Sequence, residues 1–390
     1  MSVQIRLLKW IDGAVGDLVA ALLPAAKLRN LAVPKGILLI RPGGIGDAVL
    51  LVPALLALKQ KFPQAEISLL AERRNGAAFA LCRAVDHLLF YDTPSDLLLA
   101  IRGDYEVVID TEQWHRLSAV VARLTGAPVS IGFATNDRKR LFAHQIGYSH
   151  EEYEALSFFN LLAPLGIAPP ASLRTPFLIV PTEAAARADA LLAALSGASF
   201  VTIFPGASIA ERRWGGGRFK EVAQRLAQAG IPVVVVGGKD DAGEGEAIVG
   251  GGAIVGEGKA IVGEGKAGVN PGGINLAGKT TLAETAAVIA RSSLLLSGDS
   301  GVLHIAVGLG VPTVSLFGPG IQAKWGPKGE GDLVLNRQLA CSPCTRFGTT
   351  PACPINARCL SEITPDEVIS AIRKLLAGAG EGERGMARAG

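Results

Sequence analysis

Twice along its 390 residues the chain sets short apolar, β-branched runs against longer stretches of helical spacing. This double alternation narrows the available folds more than any other feature. In the first set "GILLI" (36–40), "AEISLLA" (65–71), "HLLFY" (87–91), "YEVVID" (105–110) and "PVSIGF" (128–133) read as strands, with helical spacing over Val49 to Lys61 and His115 to Leu124. A second set begins near Phe177: "SFVTIFPGA" (199–207), "IPVVVVGG" (231–238), "INLAG" (274–278), "LLLSGD" (294–299) and "PTVSLFG" (312–318). Strands that are apolar on both faces and alternate with helices belong to parallel sheets covered on both sides. The pattern predicts an α/β chain of two successive doubly wound units, whose ligands bind beyond the carboxyl ends of the strands. The change of unit falls in "LAPLGIAPPASLRTPFLIVPT", where prolines replace helical periodicity.

Hydrophobic residues at 49% against 19% charged describe a folded chain. A formal charge of +3, with no basic run interleaved with aromatics, gives no footprint for nucleic acid. Before the first strand, Ile5, Leu8, Ile11, Val15, Leu18, Val19 and Leu22 recur at helical spacing, while Asp12, Asp17 and Pro24 interrupt every window long enough to span a bilayer. A helix packed on the body of the protein fits this stripe. So does a helix lying in a membrane face, since Arg6, Lys9, Trp10, Lys27, Arg29 and Lys35 surround it. Between 242 and 272 the triplet Ala-Ile-Val returns three times among glycines, which reads as an expanded loop without chemistry.

Four places at strand ends could carry function. In "RPGGIGD" (41–47) the glycines Gly43, Gly44 and Gly46 let the backbone turn toward a ligand, but a dinucleotide fingerprint would need glycine where Val49 stands. Asp47 there suits a helix cap or a catalytic carboxylate equally well. "FPGASIAERRW" offers Ser208 and Arg212 at a strand end, a combination suited to a diphosphate. "GDSGVLH" places Asp299, Ser300, Gly301 and His304 at the opening of a helix of small residues, again an anion site in its amides. Thr281 and Glu284 form a capping-box pattern, as do Thr364 and Glu367. Cys341, Cys344, Cys353 and Cys359 in "CSPCTRFGTTPACPINARC" admit zinc, a packed thiol loop or an adventitious disulfide, and no metal is assigned to them.

Taken together, "RPGGIGDAVLLVPAL", "FPGASIAERRW", "LAGKTTLAE", "GDSGVLHIAVGLGVPTVSLFGP" and "CSPC…CPINARCLSEITPDEV" resemble glycosyltransferase family 9, the ADP-heptose:lipopolysaccharide heptosyltransferases, from about Lys35 to Leu376. The resemblance implies the GT-B fold, two Rossmann-like domains facing a central cleft. On it, residues 1–34 form an amphipathic N-terminal helix and 35–175 the acceptor domain. Residues 176–363 form the nucleotide-sugar domain, 364–377 a helix returning to the first domain, and 378–390 a flexible tail. It implies a metal-independent inverting transfer with Asp47 as base, and a donor site of Ser208, Arg212, Asp299, Ser300, Gly301 and His304. Arg138, Lys139 and Arg140 then become candidates for meeting the acceptor, although a solvated loop also explains them. Expected partners are a nucleotide-sugar donor, which is a substrate and not a cofactor, and a lipid-linked oligosaccharide acceptor. The expected location is cytoplasmic, with peripheral contact at the inner membrane. Two positions depart from the family pattern: Arg212 stands where lysine is usual, and Gly215 follows Trp214 where proline is usual. Rival readings are a family 9-like transferase with another donor or acceptor, a non-catalytic nucleotide-sugar-binding protein, and an NAD-dependent dehydrogenase.

Overall fold

The computed structural model describes residues 12, 16–27, 33–250, 273–346 and 349–386, and the chain divides into two compact units, Met1–Phe177 and Leu178–Gly390. The repeated triplets and most of the amphipathic N-terminal stripe lie outside the described residues.

In the first unit six strands form one sheet: β1 (Gly36–Arg41), β2 (Glu66–Ala71), β3 (His87–Phe90), β4 (Val107–Asp110), β5 (Val129–Phe133) and β6 (His144–Ile146). The order is β3-β2-β1-β4-β5-β6, and every pairing is parallel. Helix α1 (Asp17–Leu22) precedes the sheet, and α2 (Ile45–Lys61), α3 (Pro94–Arg102), α4 (Arg116–Leu124) and α5 (Glu154–Asn160) alternate with or follow its strands. Ile37, Leu38, Leu39 and Ile40 of β1 have no more than 1% of their surface exposed, because a central parallel strand is covered on both faces. Helix α2 is buried almost all round, through Ala48 to Leu55 and Leu58, as its nearly unbroken apolar sequence requires. Val19, Ala20 and Leu23 pack into the core beside α3 and α4. The Asp12 carboxylate accepts the backbone N–H groups of Arg116 and Leu117, both at 2.8 Å, and so caps α4 from about a hundred residues away. For residues 12 and 16–23, packing on the body of the protein is therefore what the structure describes.

The second unit repeats the plan. Its helices are α6 (Thr182–Leu192), α7 (Gly216–Gln228), α8 (Ala242–Val249), α9 (Leu282–Ile289), α10 (Gly301–Leu309) and α11 (Pro365–Met386). Its strands β7 (Val201–Phe204), β8 (Val233–Val235), β9 (Ile274–Asn275), β10 (Leu294–Gly298), β11 (Thr313–Phe317) and β12 (Asp332–Asn336) pair in parallel in the order β12-β11-β10-β7-β8-β9. Counted from β7, this is the order of the first sheet. Each sheet thus has one place where strand order reverses, between β1 and β4 and between β7 and β10.

Two expectations are corrected. Residues 242–249 are helical and not loop, because Ile248 reaches the core and outweighs the neighbouring glycines. Helix α11 runs to Met386, past the expected stop at 377, since a glycine in a helix costs only about 1 kcal/mol and good helix formers lie between these. Its buried Val368, Ile369, Ala371 and Ile372 join Val222, Leu226 and Leu296 in the core of the second unit. Both capping boxes are formed: Thr281 with Glu284, and Thr364 with Glu367.

Helix α7 shows why the Trp-Gly pair matters. The Trp214 indole is buried edge-on to Phe219 with ring centres 4.9 Å apart, and its N–H donates to the Ile363 carbonyl at 2.9 Å. Immediately after it Gly215 turns the chain into the helix at φ +106°, a conformation proline cannot adopt. A Gly215→Pro substitution is expected to lower unfolding stability by about 3 kcal/mol, measured by urea denaturation. An unchanged midpoint would show that this turn tolerates a negative φ.

Candidate functional site

In the first unit the glycine loop leaves β1 beside the end of β4. Gly44 holds the N-cap position of α2, so Asp47 is not the cap; it stands in the first helical turn, with its side chain 23% exposed. Behind it lies Arg41, the last residue of β1, which is wholly buried. Its Nε donates to the Pro42 carbonyl at 2.6 Å and its Nη1 to the Thr111 carbonyl at 2.9 Å. Nη2 reaches Glu112 at 3.2 Å and stands 3.9 Å from Asp47, which is an ion pair through space and not a hydrogen bond. Burial alone would raise Glu112, but the Arg41 guanidinium, with His115 and Arg138, outweighs it and holds the carboxyl below its usual range. Gln113 and Tyr148 donate to Glu154, a second buried acid on α5.

The basic run 138–140 separates into three roles. Arg138 is fully buried, ion-paired with Asp110 at the end of β4 and donating to the Glu112 carbonyl and to Ser118. The expectation that it meets an acceptor is corrected, since its guanidinium is shut off from solvent and turned inward to these partners. Arg140 donates to the Ala21 carbonyl at 2.8 Å and tethers the segment of α1. Lys139 is exposed.

In the second unit two of the expected donor residues meet. Arg212, on the loop after β7, and Asp299, just past β10, form an ion pair of 3.0 Å with side chains 16% and 9% exposed. Arg212 also donates to Thr345 at 3.4 Å, while its buried Nε has no hydrogen-bond partner among the described residues. Arg213 is pulled away by Asp241 at 3.3 Å and Glu244 at 3.1 Å, so Arg212 is the arginine of this strand end. Ser208 is exposed on the same loop. Ser300 caps α10, accepting from the Leu303 N–H at 3.3 Å, and Gly301 is the first helical residue. His304, one turn in, is 2% exposed, and its Nδ1 has no partner among the described residues. Burial pushes its pKa down to about 4, against the opposing pull of Asp299, so the ring is neutral near pH 7.

Cys341, Cys344, Cys353 and Cys359 are free thiols that line one cavity of about 20 Å³. Among the described residues no group of three or more His, Cys, Asp or Glu side chains is arranged to hold a metal ion. The loop they occupy braces the end of β11: the N–H groups of Cys344 and Thr345 donate to the Pro319 carbonyl at 3.1 and 2.9 Å.

Arg41, Asp110, Glu112, Glu154 and Thr345 escape the sequence reading. Arg41 and Asp110 did carry a signal, since each is a charge that closes an otherwise apolar central strand.

Comparison with known proteins puts this geometry in company. The sequence model of glycosyltransferase family 9 (heptosyltransferase) matches residues 97–353. A lipooligosaccharide heptosyltransferase 2 of Campylobacter jejuni is 23% identical over 351 residues, 86% of this chain and 97% of the relative. Among solved structures, the Escherichia coli ADP-heptose lipopolysaccharide heptosyltransferase II superposes with a TM-score of 0.69 at 21% identity, over 88% of this chain and 99% of that one. A glycosyltransferase family 9 protein of Veillonella parvula gives 0.70 at 22% identity, over 91% and 99%. The fold they share is GT-B.

His304 supplies a test of the second site. Its pKa is lower folded than unfolded, so its contribution to stability is complete above the unfolded value near 6.5 and is lost as pH falls toward about 4. Relative to His304→Gln, the native protein is expected to lose up to about 3 kcal/mol between pH 6.5 and 4 in denaturant titrations. Parallel curves for the two proteins would mean that the ring protonates freely in the folded state.

Proposed function

Since this chain belongs to glycosyltransferase family 9 and is a glycosyltransferase, we propose that it transfers a heptose from ADP-heptose to the core oligosaccharide of a lipid-linked acceptor, in one inverting displacement with Asp47 as base. The observation that carries this reading is a partly exposed carboxylate on the first turn after the glycine loop, beside the strand-order reversal of the first sheet. The acceptor hydroxyl attacks the anomeric carbon, and its proton passes to the Asp47 carboxylate. The bond from that carbon to the diphosphate breaks, and the electron pair leaves with ADP. Arg212 and the amides opening α10 take up the developing charge. The ion pair of Arg212 with Asp299 supports this reading: the guanidinium can turn to the diphosphate while Asp299 exchanges its arginine contact for a sugar hydroxyl. Neutral His304 contributes as a hydrogen-bonding group and not as a charge.

Asp47→Asn is expected to lower kcat by about 10² to 10⁴ while donor affinity stays within about threefold. Transfer at near the native rate would remove Asp47 as base. Binding of UDP- or GDP-sugars in preference to ADP-heptose would replace the donor.

Contact with a membrane surface completes the reading. Leu22 on α1 and Leu98 and Leu99 on α3 are 76%, 45% and 61% exposed, and both helices pack against α4. Lys27 and Arg102, also exposed, lie on the same segments. No helix among the described residues is long and apolar enough to cross a membrane. Apolar side chains flanked by cations suit contact in the plane of an anionic bilayer. Replacing Leu98 and Leu99 by Asp is expected to reduce co-sedimentation with phosphatidylglycerol-containing vesicles several-fold; equal sedimentation of both proteins would place the contact elsewhere.

A further inference from the structure

We propose that Arg41 is a positioning residue for the transfer, setting the place and direction of the Asp47 carboxylate from beneath the glycine loop. This rests on Asp47 being the base.

The guanidinium is itself fixed from several sides. Two of its nitrogens are held by carbonyls on either side of the strand-order reversal, Pro42 after β1 and Thr111 after β4. Its flank lies 5.7 Å from the centre of the Phe158 ring on α5. Asn75 ties down its backbone, donating to the Arg41 carbonyl at 3.0 Å. Little remains for it to do but present Nη2, which faces Glu112 and Asp47 together.

The two distances differ in a way that matters. Glu112, at 3.2 Å, takes the direct hydrogen bond. Asp47, at 3.9 Å, feels the cation without being bonded to it. A bidentate clamp would occupy both carboxylate oxygens, whereas a cation one step away orients the carboxylate and leaves its oxygens open to a substrate hydroxyl. The loop above conforms to the same group: Gly43 has φ +112°, and a Cβ there would come within 2.9 Å of Nη2. Both the backbone leading to Asp47 and its side chain therefore take their reference from Arg41.

The test is a double-mutant cycle on the full-length protein. Arg41→Lys keeps the charge and loses the fork. It is expected to lower kcat about 10- to 100-fold with donor KM within about twofold of native. In an Asp47→Asn background the same change should cost no more than about twofold, because the group it positions is gone. Equal fractional losses in the two backgrounds, or a native kcat for Arg41→Lys, would overturn the proposal while leaving Asp47 as base. Near-native transfer by Asp47→Asn alone would instead remove the base, and this proposal with it. Should Arg41→Lys fail to fold by circular dichroism, Phe158→Leu loosens the guanidinium without touching any charge. Its several-fold loss of kcat should likewise vanish in the Asp47→Asn background, and a loss equal in both would count against the proposal.

Discussion

Two arginines without access to water govern the first unit. Arg41 and Arg138 are both buried, and a buried guanidinium is costly unless most of its donors find acceptors. Asp110, Glu112 and the carbonyls of Pro42, Thr111 and Glu112 supply those acceptors, and all belong to β1, β4 or the turns just beyond them. The network fixes the turns that carry the site. Losing one member would strand a charge in the interior, an event that costs about 3–5 kcal/mol in proteins generally.

The two units apply one topology to opposite electrostatic ends. At the reversal in the first sheet a carboxylate, Asp47, faces outward with a buried cation behind it. At the reversal in the second a guanidinium, Arg212, is the more exposed partner and a nearly buried carboxylate, Asp299, stands behind it. Each pair sets a more deeply buried charge against a more exposed one of opposite sign. An acid-facing end suits taking up a proton, and a cation-facing end suits holding a diphosphate.

How far this was legible in the sequence follows from what each feature depends on. The eight inner strands announce themselves because burial on both faces demands continuous apolar residues, and the edge strands β3 and β9 keep enough of an apolar run to be read with them. The edge strands β6, "HQI", and β12, "DLVLN", do not, since an edge is half-exposed and its composition is free to be polar. Asp47, Arg212 and Asp299 could be singled out because they close short motifs of fixed spacing. The residues that complete these contacts from afar could not: Glu112 is 71 residues from Arg41, and Thr345 is 133 from Arg212. Arg138 was misread for a related reason. A run of three basic residues looks like a solvated patch until the fold turns its first member inward and gives it Asp110.

The turn at Gly215 bears on how relatives are compared with this chain. Where family members carry Trp-Pro, the prolyl ring confines φ to about −65°; here the chain enters α7 at +106°. A prolyl residue at position 215 could not follow the backbone path by which this chain leaves the loop that carries Arg212.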